Sequence, residues 1–261
     1  GHKSLAVGLS DLAAMGAEPA WATLALTLPE SDEDWICAFT TGFGRLANAH
    51  GMCLVGGDTT RGPLSVAVQV HGLVPAGAAI RRSGARPGDA IFVSGTLGDA
   101  GLALHRRLAG ETVALELKHR LECPEPRVEL GRRLRGIASA MIDLSDGLAG
   151  DLGHILTASD VGAELELERL PLTPWVAEAI AATGDWSLPL ASGDDYELCF
   201  CVAPEHIATV ERLGEELELP LTRVGWIRSG AGLDFRRPDG GRLTRPARGY
   251  DHFPAANDRA D

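Results

Sequence analysis

Four short acidic clusters cut into otherwise apolar stretches of this chain: Ser10-Asp11, Gly56-Gly57-Asp58-Thr59-Thr60, Asp143-Leu144-Ser145-Asp146-Gly147 and Gly193-Asp194-Asp195-Tyr196-Glu197. Each sets a carboxylate beside Gly or Ser at the end of a segment patterned for burial. Such carboxylates are costly unless something cationic neutralises them, so a fold that gathers them must supply a cation. Magnesium with a nucleotide is the economical solution, because magnesium binds carboxylate and phosphate oxygens together. The paired glycines let backbone come close to a bulky anion. Taken singly, Gly-Gly-Asp is also ordinary turn chemistry, and reads as the hairpin connection between the apolar run Met52 to Val55 and the alternating run Leu64 to Val74.

A chain of 261 residues exceeds one typical domain, and 45% hydrophobic content is ample for two α/β cores. The Pro75-Ala76-Gly77 break predicts a boundary, with domains over 1–76 and 77–261. Aromatic residues make up 5%, so Ala, Leu and Val must fill the cores. The formal charge of -12, from 36 acids against 24 Lys and Arg, argues against a nucleic-acid surface and against binding to anionic membranes. An anionic substrate then needs a local cation. No apolar run approaches the roughly 18 residues of a membrane span, and no signal peptide opens the chain, which predicts a cytoplasmic protein. Cys37, Cys53, Cys123, Cys199 and Cys201 form neither a CxxC pair nor a zinc pattern and read as reduced core residues.

Along the chain, Ser10 reads as a helix cap with Asp11 in the first turn and a stop at Gly16, so Asp11 answers either a helix dipole or a metal. Trp21 to Leu28 alternates as a strand. Ser31 and Asp32 then open a helix with Trp35, Phe39, Phe43 and Leu46 on one core-facing stripe. Ala90 to Ser94 is a strand and Asp99 to Ala109 a helix, joined by Gly95-Thr96-Leu97-Gly98, a weak phosphate signal. Glu111 to Glu122 is charged and poorly patterned. Pro124-Glu125-Pro126-Arg127 caps a helix to Leu134, Ala138 to Leu144 is a strand, and Leu148 to Ala158 is a helix. The free N–H groups of that helix face the acidic turn, where a phosphate or a magnesium-bound oxygen would sit; Asp151 reads as a dipole partner. A helix in Pro171 to Thr183, a strand Leu198 to Val202, a helix Pro204 to Leu217 and a strand Thr222 to Ile227 follow. The run 229–248 reads as a loose hairpin, and Gly249-Tyr250-Asp251-His252-Phe253 as a docking anchor or a lid.

In order along the chain, Lys3-Ser4-Leu5-Ala6-Val7, Leu9 to Ala17, Gly56 to Thr60, Arg82-Ser83-Gly84-Ala85, Pro87-Gly88-Asp89, Pro124 to Arg127, Asp143 to Asp151, Gly193 to Leu198 and Gly249 to Phe253 resemble the thiamine-monophosphate kinase family, part of the aminoimidazole ribonucleotide synthetase-like ATP-binding proteins. The resemblance implies a two-domain α/β (α+β) fold, with an N-terminal sheet that pairs with its twin in a homodimer, a C-terminal α/β domain, and ATP in the cleft between them. It implies magnesium on Asp11, Asp58, Asp143 and Asp146, ATP on Gly57, Asp58, Arg82 and the Ser145 hydroxyl, and thiamine monophosphate on Glu197 and Tyr250. Glu197 capping a strand and Tyr250 packing the tail are the bland alternatives. Gly8 stands where the family carries Asn. The family's N-terminal Gly-Asp-Asp-Ala segment, which holds further magnesium ligands and a substrate contact, has no counterpart here, so a preceding segment is expected.

The implied reaction passes the γ-phosphoryl group of ATP to the phosphate of thiamine monophosphate. The nucleophile is a phosphate oxygen whose second pKa is about 6, so no general base is needed, and several magnesium ions screen the two polyanions. Competing readings are another ATP-dependent synthetase of the same superfamily and a non-catalytic nucleotide-binding module.

Overall fold

A computed structural model of the protein describes residues 1–237 and 239–243. In the N-terminal half, helix α1 (His2–Ala14) leads into strand β1 (Glu18–Leu28), helix α2 (Glu33–Ala49), and strands β2 (Cys53–Arg61) and β3 (Ser65–Leu73). The sheet order is β2-β1-β3, with β1 parallel to β2 and antiparallel to β3. α2 starts where the sequence predicts, because the Asp32 side chain accepts a hydrogen bond from the Trp35 N–H at 3.0 Å. Its aromatic stripe packs with Leu5, Leu9 and Leu12 of α1 and with Ala22 and Met52 into one core.

Two local expectations fail in this half. Ser10 caps nothing: Leu5, Leu9 and Leu12 recur at helical spacing, so α1 runs unbroken through Ser10 and Asp11. Nor does Gly-Gly-Asp make a turn. It lies inside β2, which adds Val55 as a bulge against the Ala22–Thr23 step of β1 and then continues to Arg61. Gly57 has φ 149°, and a Cβ there would sit 1.8 Å from the Leu24 carbonyl oxygen, so the glycine serves the close approach of β2 to β1.

The C-terminal half holds a six-stranded sheet in the order β5-β7-β4-β8-β6-β9, formed by β4 (Ala90–Ser94), β5 (Ala138–Asp143), β6 (Gly162–Glu166), β7 (Leu198–Val202), β8 (Leu221–Arg228) and β9 (Leu233–Arg236). β4, apolar up to Ser94, and β7, apolar throughout, are buried at every position, as strands covered on both faces must be. One face sets Ile91, Val93, Cys199 and Cys201 against helix α6 (Leu148–Ser159). The other sets Phe92 and Phe200, stacked at 5.7 Å between centroids, against helices α5 (Val128–Arg133) and α9 (Ile207–Glu216). A satellite core joins α3 (Asp99–Leu108), α4 (Leu115–Glu122) and α7 (Pro174–Thr183), so the charged run 111–122 contains a helix that its sequence hid. A short helix α8 (Ser187–Ala191) precedes the last acidic cluster. Within the expected hairpin at 229–248, whose residues 238 and 244–248 lie outside the described ones, β9 turns back through an antiparallel Arg236–Arg242 bridge and also pairs in parallel with β6, which the sequence reading lacked. Cys37 and Cys53 are exposed and Cys123 is half-buried, so only Cys199 and Cys201 keep the predicted core role.

α1 belongs to both halves. Leu5 and Leu9 pack in the N-terminal core, whereas Ala13 and Ala14 pack with Phe92 and Phe200 in the C-terminal one. Ser10 and Asp11 therefore fall at the junction. No helix among the described residues is long and apolar enough to cross a membrane.

Candidate active site

At that junction, Asp11 from α1, Asp143 from the end of β5 and Arg82 from the loop before β4 line one cleft of about 440 Å³, floored by Ile80 and Met141. Asp143 is 6% exposed. Its carboxyl is pushed up to about 6, first by loss of water and then by the Asp11 charge, against the pull of Ser10 and Arg82. Asp11 is raised as well, by partial desolvation that Arg82 opposes. The Ser10 hydroxyl is fully buried and stands close enough to Asp143 to favour its charged form, yet lacks a partner in hydrogen-bonding geometry among the described residues.

The two C-terminal acidic clusters are laced together by backbone. Asp194 N–H donates to Ser145 O at 2.9 Å, Tyr196 N–H to Leu144 O at 2.8 Å, and Leu144 N–H to Glu197 O at 2.9 Å. This leaves Asp194 half-exposed, in a left-handed conformation (φ 64°), with Oδ2 2.9 Å from Lys3 Nζ and Oδ1 accepting from the Tyr196 hydroxyl at 2.9 Å. The Tyr196 phenol is held far above its usual range by burial and then by the charges of Asp194, Asp143 and Asp146.

Three carboxylates in and beside these loops, Asp151, Asp195 and Glu197, have structural tasks. Asp151 Oδ2 accepts from the Asp146 and Gly147 N–H groups, in the turn just before α6, at 3.0 and 3.1 Å, and burial pushes the Asp151 carboxyl up to about 7. Asp195 takes the Gly98 N–H on both oxygens at 3.0 Å and is pushed up to about 8 by burial. The 95–98 loop thus spends its last amide on a carboxylate of its own chain. Glu197 departs furthest from expectation. It is 0% exposed, and both oxygens are engaged by Arg127, Arg120 and Ser94. In this geometry it is closed to a ligand, whereas Asp194, whose oxygens meet Lys3 and the Tyr196 hydroxyl, stays half-exposed.

Gly57 and Asp58 lie on β2, exposed, with Asp58 Oδ1 accepting the Thr59 N–H at 2.9 Å, and they do not line the junction cleft. The Ser145 backbone is committed to Asp194 while its residue stays half-exposed. Tyr250 lies outside the described residues. Gly8 faces β3, where a Cβ would meet Val70 at 2.9 Å, so its departure from the family's Asn concerns packing on the sheet. Among the described residues no three His, Cys, Asp or Glu side chains form a ready metal cage. Asp11 and Asp143 nonetheless suit magnesium: their oxygens are hard donors, the burial of Asp143 calls for a cation, and magnesium is held by one or two carboxylates with substrate phosphates. In the sequence, Asp194 is visible only as part of an acidic cluster, Lys3 and Arg127 only within the ordered motifs, and Arg120 in neither.

Residues 1–74 match the family model of the AIR synthase related protein N-terminal domain, and residues 86–237 that of the C-terminal domain. Thiamine-monophosphate kinase of Salmonella typhimurium is 49% identical over 258 residues, which cover 97% of this chain and 79% of that protein. The crystal structure of thiamine-monophosphate kinase from Stenotrophomonas maltophilia superposes with a TM-score of 0.87 at 49% identity, covering 93% of this chain and 78% of the other. The structure of AaThiL complexed with AMPPCP and TMP superposes with a TM-score of 0.81 at 29% identity, covering 96% and 81%. With both halves of the fold matched in order, the chain belongs to the thiamine-monophosphate kinase family.

Proposed function

We propose that this kinase transfers the γ-phosphoryl group of ATP to thiamine monophosphate, giving thiamine diphosphate and ADP, with the nucleotide in the junction cleft. The carrying observation is the Asp11–Asp143 pair facing Arg82 in that cleft. A relative of the same fold complexed with AMPPCP and TMP supports the two ligand classes. Asp11, Asp143 and Asp146 hold magnesium, and Asp58 contributes from β2 when the nucleotide is bound. Magnesium supplies charge neutralisation between the two polyanions.

The protein's residues do the rest. Arg82 binds the nucleotide's phosphates, Gly57 lets the β2 backbone approach them, and the Ser145 hydroxyl fixes a phosphate oxygen. A terminal oxygen of thiamine monophosphate attacks the γ-phosphorus in line as the bond to the β,γ-bridging oxygen breaks, and ADP leaves without any obligatory proton transfer. Asp194 replaces Glu197 as the acidic contact to the cationic acceptor, because Asp194 is half-exposed and Glu197 is not. Tyr250 remains the proposed aromatic face for the thiazolium.

A homodimer completes the reading. α1 and α2 cover one face of the N-terminal sheet, while Trp21, Leu54, Val55 and Leu73 stay exposed on it and β2 is exposed along its whole length. A second copy of the sheet is the fitting cover.

The test of the reaction is product analysis with thiamine monophosphate, thiamine and other phosphate monoesters as acceptors. Thiamine diphosphate and ADP should form in equal amounts from thiamine monophosphate alone. Turnover with an amidine-forming or selenium substrate instead would favour another synthetase of the superfamily.

A further inference from the structure

Beneath the acidic loops lies a cluster of charges that the phosphoryl-transfer reading leaves unused. Glu197 is fully buried. Arg127 meets it side-on, Nε to Oε2 and Nη2 to Oε1 both at 2.7 Å. Ser94 Oγ donates to Oε2 at 2.6 Å, and Arg120 Nη2 to Oε1 at 2.9 Å. Arg120 grips less well: its buried Nε lacks a hydrogen-bond partner among the described residues and stands 3.9 Å from Asp99 Oδ2. Arg127 is itself held by a stiff support. Pro124 and Pro126 are buried on either side of Glu125, whose carboxylate lies 3.1 Å from Arg127 Nη1, and His2 of α1 bonds the Pro124 carbonyl at 2.9 Å.

The main chain of Glu197 is where the two acidic loops join. Its carbonyl accepts the Leu144 N–H, and the two preceding links tie Tyr196 to Leu144 and Asp194 to Ser145. Fixing the Glu197 side chain therefore fixes the register of Asp194 against Asp143, Ser145 and Asp146. A bidentate fork sets a plane and a distance, which a point charge cannot do.

We propose that Arg127 is a positioning residue for phosphoryl transfer, acting through Glu197 to hold the Asp194 loop against the Asp143–Asp146 turn. Arg127 does not line the junction cleft, so it touches neither nucleotide nor metal there. Instead it borders a separate cavity of about 600 Å³ shared with Glu18, His50, Glu125, Arg132 and Glu218. That cavity gives a small cation a route to the place of its guanidinium. The proposal rests on the functional reading above.

Steady-state kinetics of Arg127→Ala and Arg127→Lys, with magnesium, ATP and thiamine monophosphate, test it alongside the unaltered enzyme. Misplacing reacting groups by an ångström costs about 10²-fold in rate, so kcat of Arg127→Ala should fall by about that factor. KM for ATP should change less than about twofold, since nucleotide binding is not what the fork supports. Methylguanidinium should restore at least about tenfold of the lost kcat to Arg127→Ala, by refilling the fork. Arg127→Lys should be impaired and unresponsive to it. Wild-type kcat in either variant, a KM for ATP that rises as kcat falls, or methylguanidinium that raises the melting temperature without raising kcat would overturn the proposal. If Arg127→Ala does not fold, Arg127→Lys decides by its kcat. Should the unaltered enzyme make no thiamine diphosphate, the functional reading fails; turnover by the unaltered enzyme with unimpaired variants refutes only the positioning role.

Discussion

Asp143 shows how far residue types alone carry the reading. Its cluster is legible as a carboxylate ending a buried strand, and the structure gives that carboxylate a cleft, an acidic neighbour and a raised pKa of about 6. Glu197 looked equivalent on paper and is not, because the two arginines that engage it come from 70 and 77 residues away. Nothing local to Gly-Asp-Asp-Tyr-Glu announces such partners. The contrast predicts opposite behaviour on neutralisation. Asp143→Asn relieves a buried charge, and a shift of about two pKa units at about 1.4 kcal/mol each predicts a metal-free variant more stable than wild type by about 3 kcal/mol at pH 7.5. Glu197→Ala strands two cations and should cost about 3–5 kcal/mol. Urea unfolding of both variants checks the signs, and a destabilised Asp143→Asn would remove the argument that its charge is held at a cost.

Elements with a strong signal were read correctly because their patterns had one physical cause. β4 and β7 have their observed ends in the sequence, since four or five consecutive apolar residues bounded by turn chemistry suit a strand covered on both faces. α4 was hidden, because its buried Leu117 and Leu121 make a stripe too thin to stand out from a charged run. β6 and β9 were missed for a related reason: they are short, and their parallel pairing depends on residues about 70 apart. β2 misled because Gly-Gly-Asp has two uses, a turn or a strand that must touch its neighbour. The second use makes a prediction at this scale. Gly57→Ala puts a methyl onto the Leu24 carbonyl at a backbone angle suited to glycine and should destabilise the N-terminal sheet by at least about 1–3 kcal/mol. Hydrogen exchange should report the loss in β1 and β2 first; unchanged protection there would contradict the close packing of the two strands.

At the scale of the whole molecule, the order of motifs conveyed the two-sheet family fold, but the junction needed coordinates. The sequence broke α1 at Ser10, and only the continuous helix shows how one element serves both cores and presents Asp11 between them. Two predictions belong here. The exposed face of the N-terminal sheet predicts a dimer, so Trp21→Asp should shift the mass seen by light scattering at micromolar concentration toward the monomer; an unaltered monomer in the parent protein would refute the sheet pairing. The buried carboxyls predict a pH response. Asp143, Asp151 and Asp195 have folded pKa values raised to about 6, 7 and 8, so their stabilising contribution is full below about pH 4 and is lost as pH rises through those values. Glu197, held low by its arginines once its burial is overcome, acts the other way and loses its contribution only in acid. The ligand-free protein should therefore melt at a lower temperature at pH 8 than at pH 5.5, and magnesium with ATP should narrow that gap by compensating Asp143.

The central claim, that the Asp11–Asp143 pair is where magnesium and nucleotide meet, is tested most directly by calorimetric titration of a non-hydrolysable ATP analogue with magnesium into wild type and Asp143→Asn. Wild type should bind only with magnesium present, and the variant, folded and at least as stable, should bind at least about tenfold more weakly, a loss of about 1.4 kcal/mol or more. Equal, magnesium-dependent affinity in the two proteins would contradict the account.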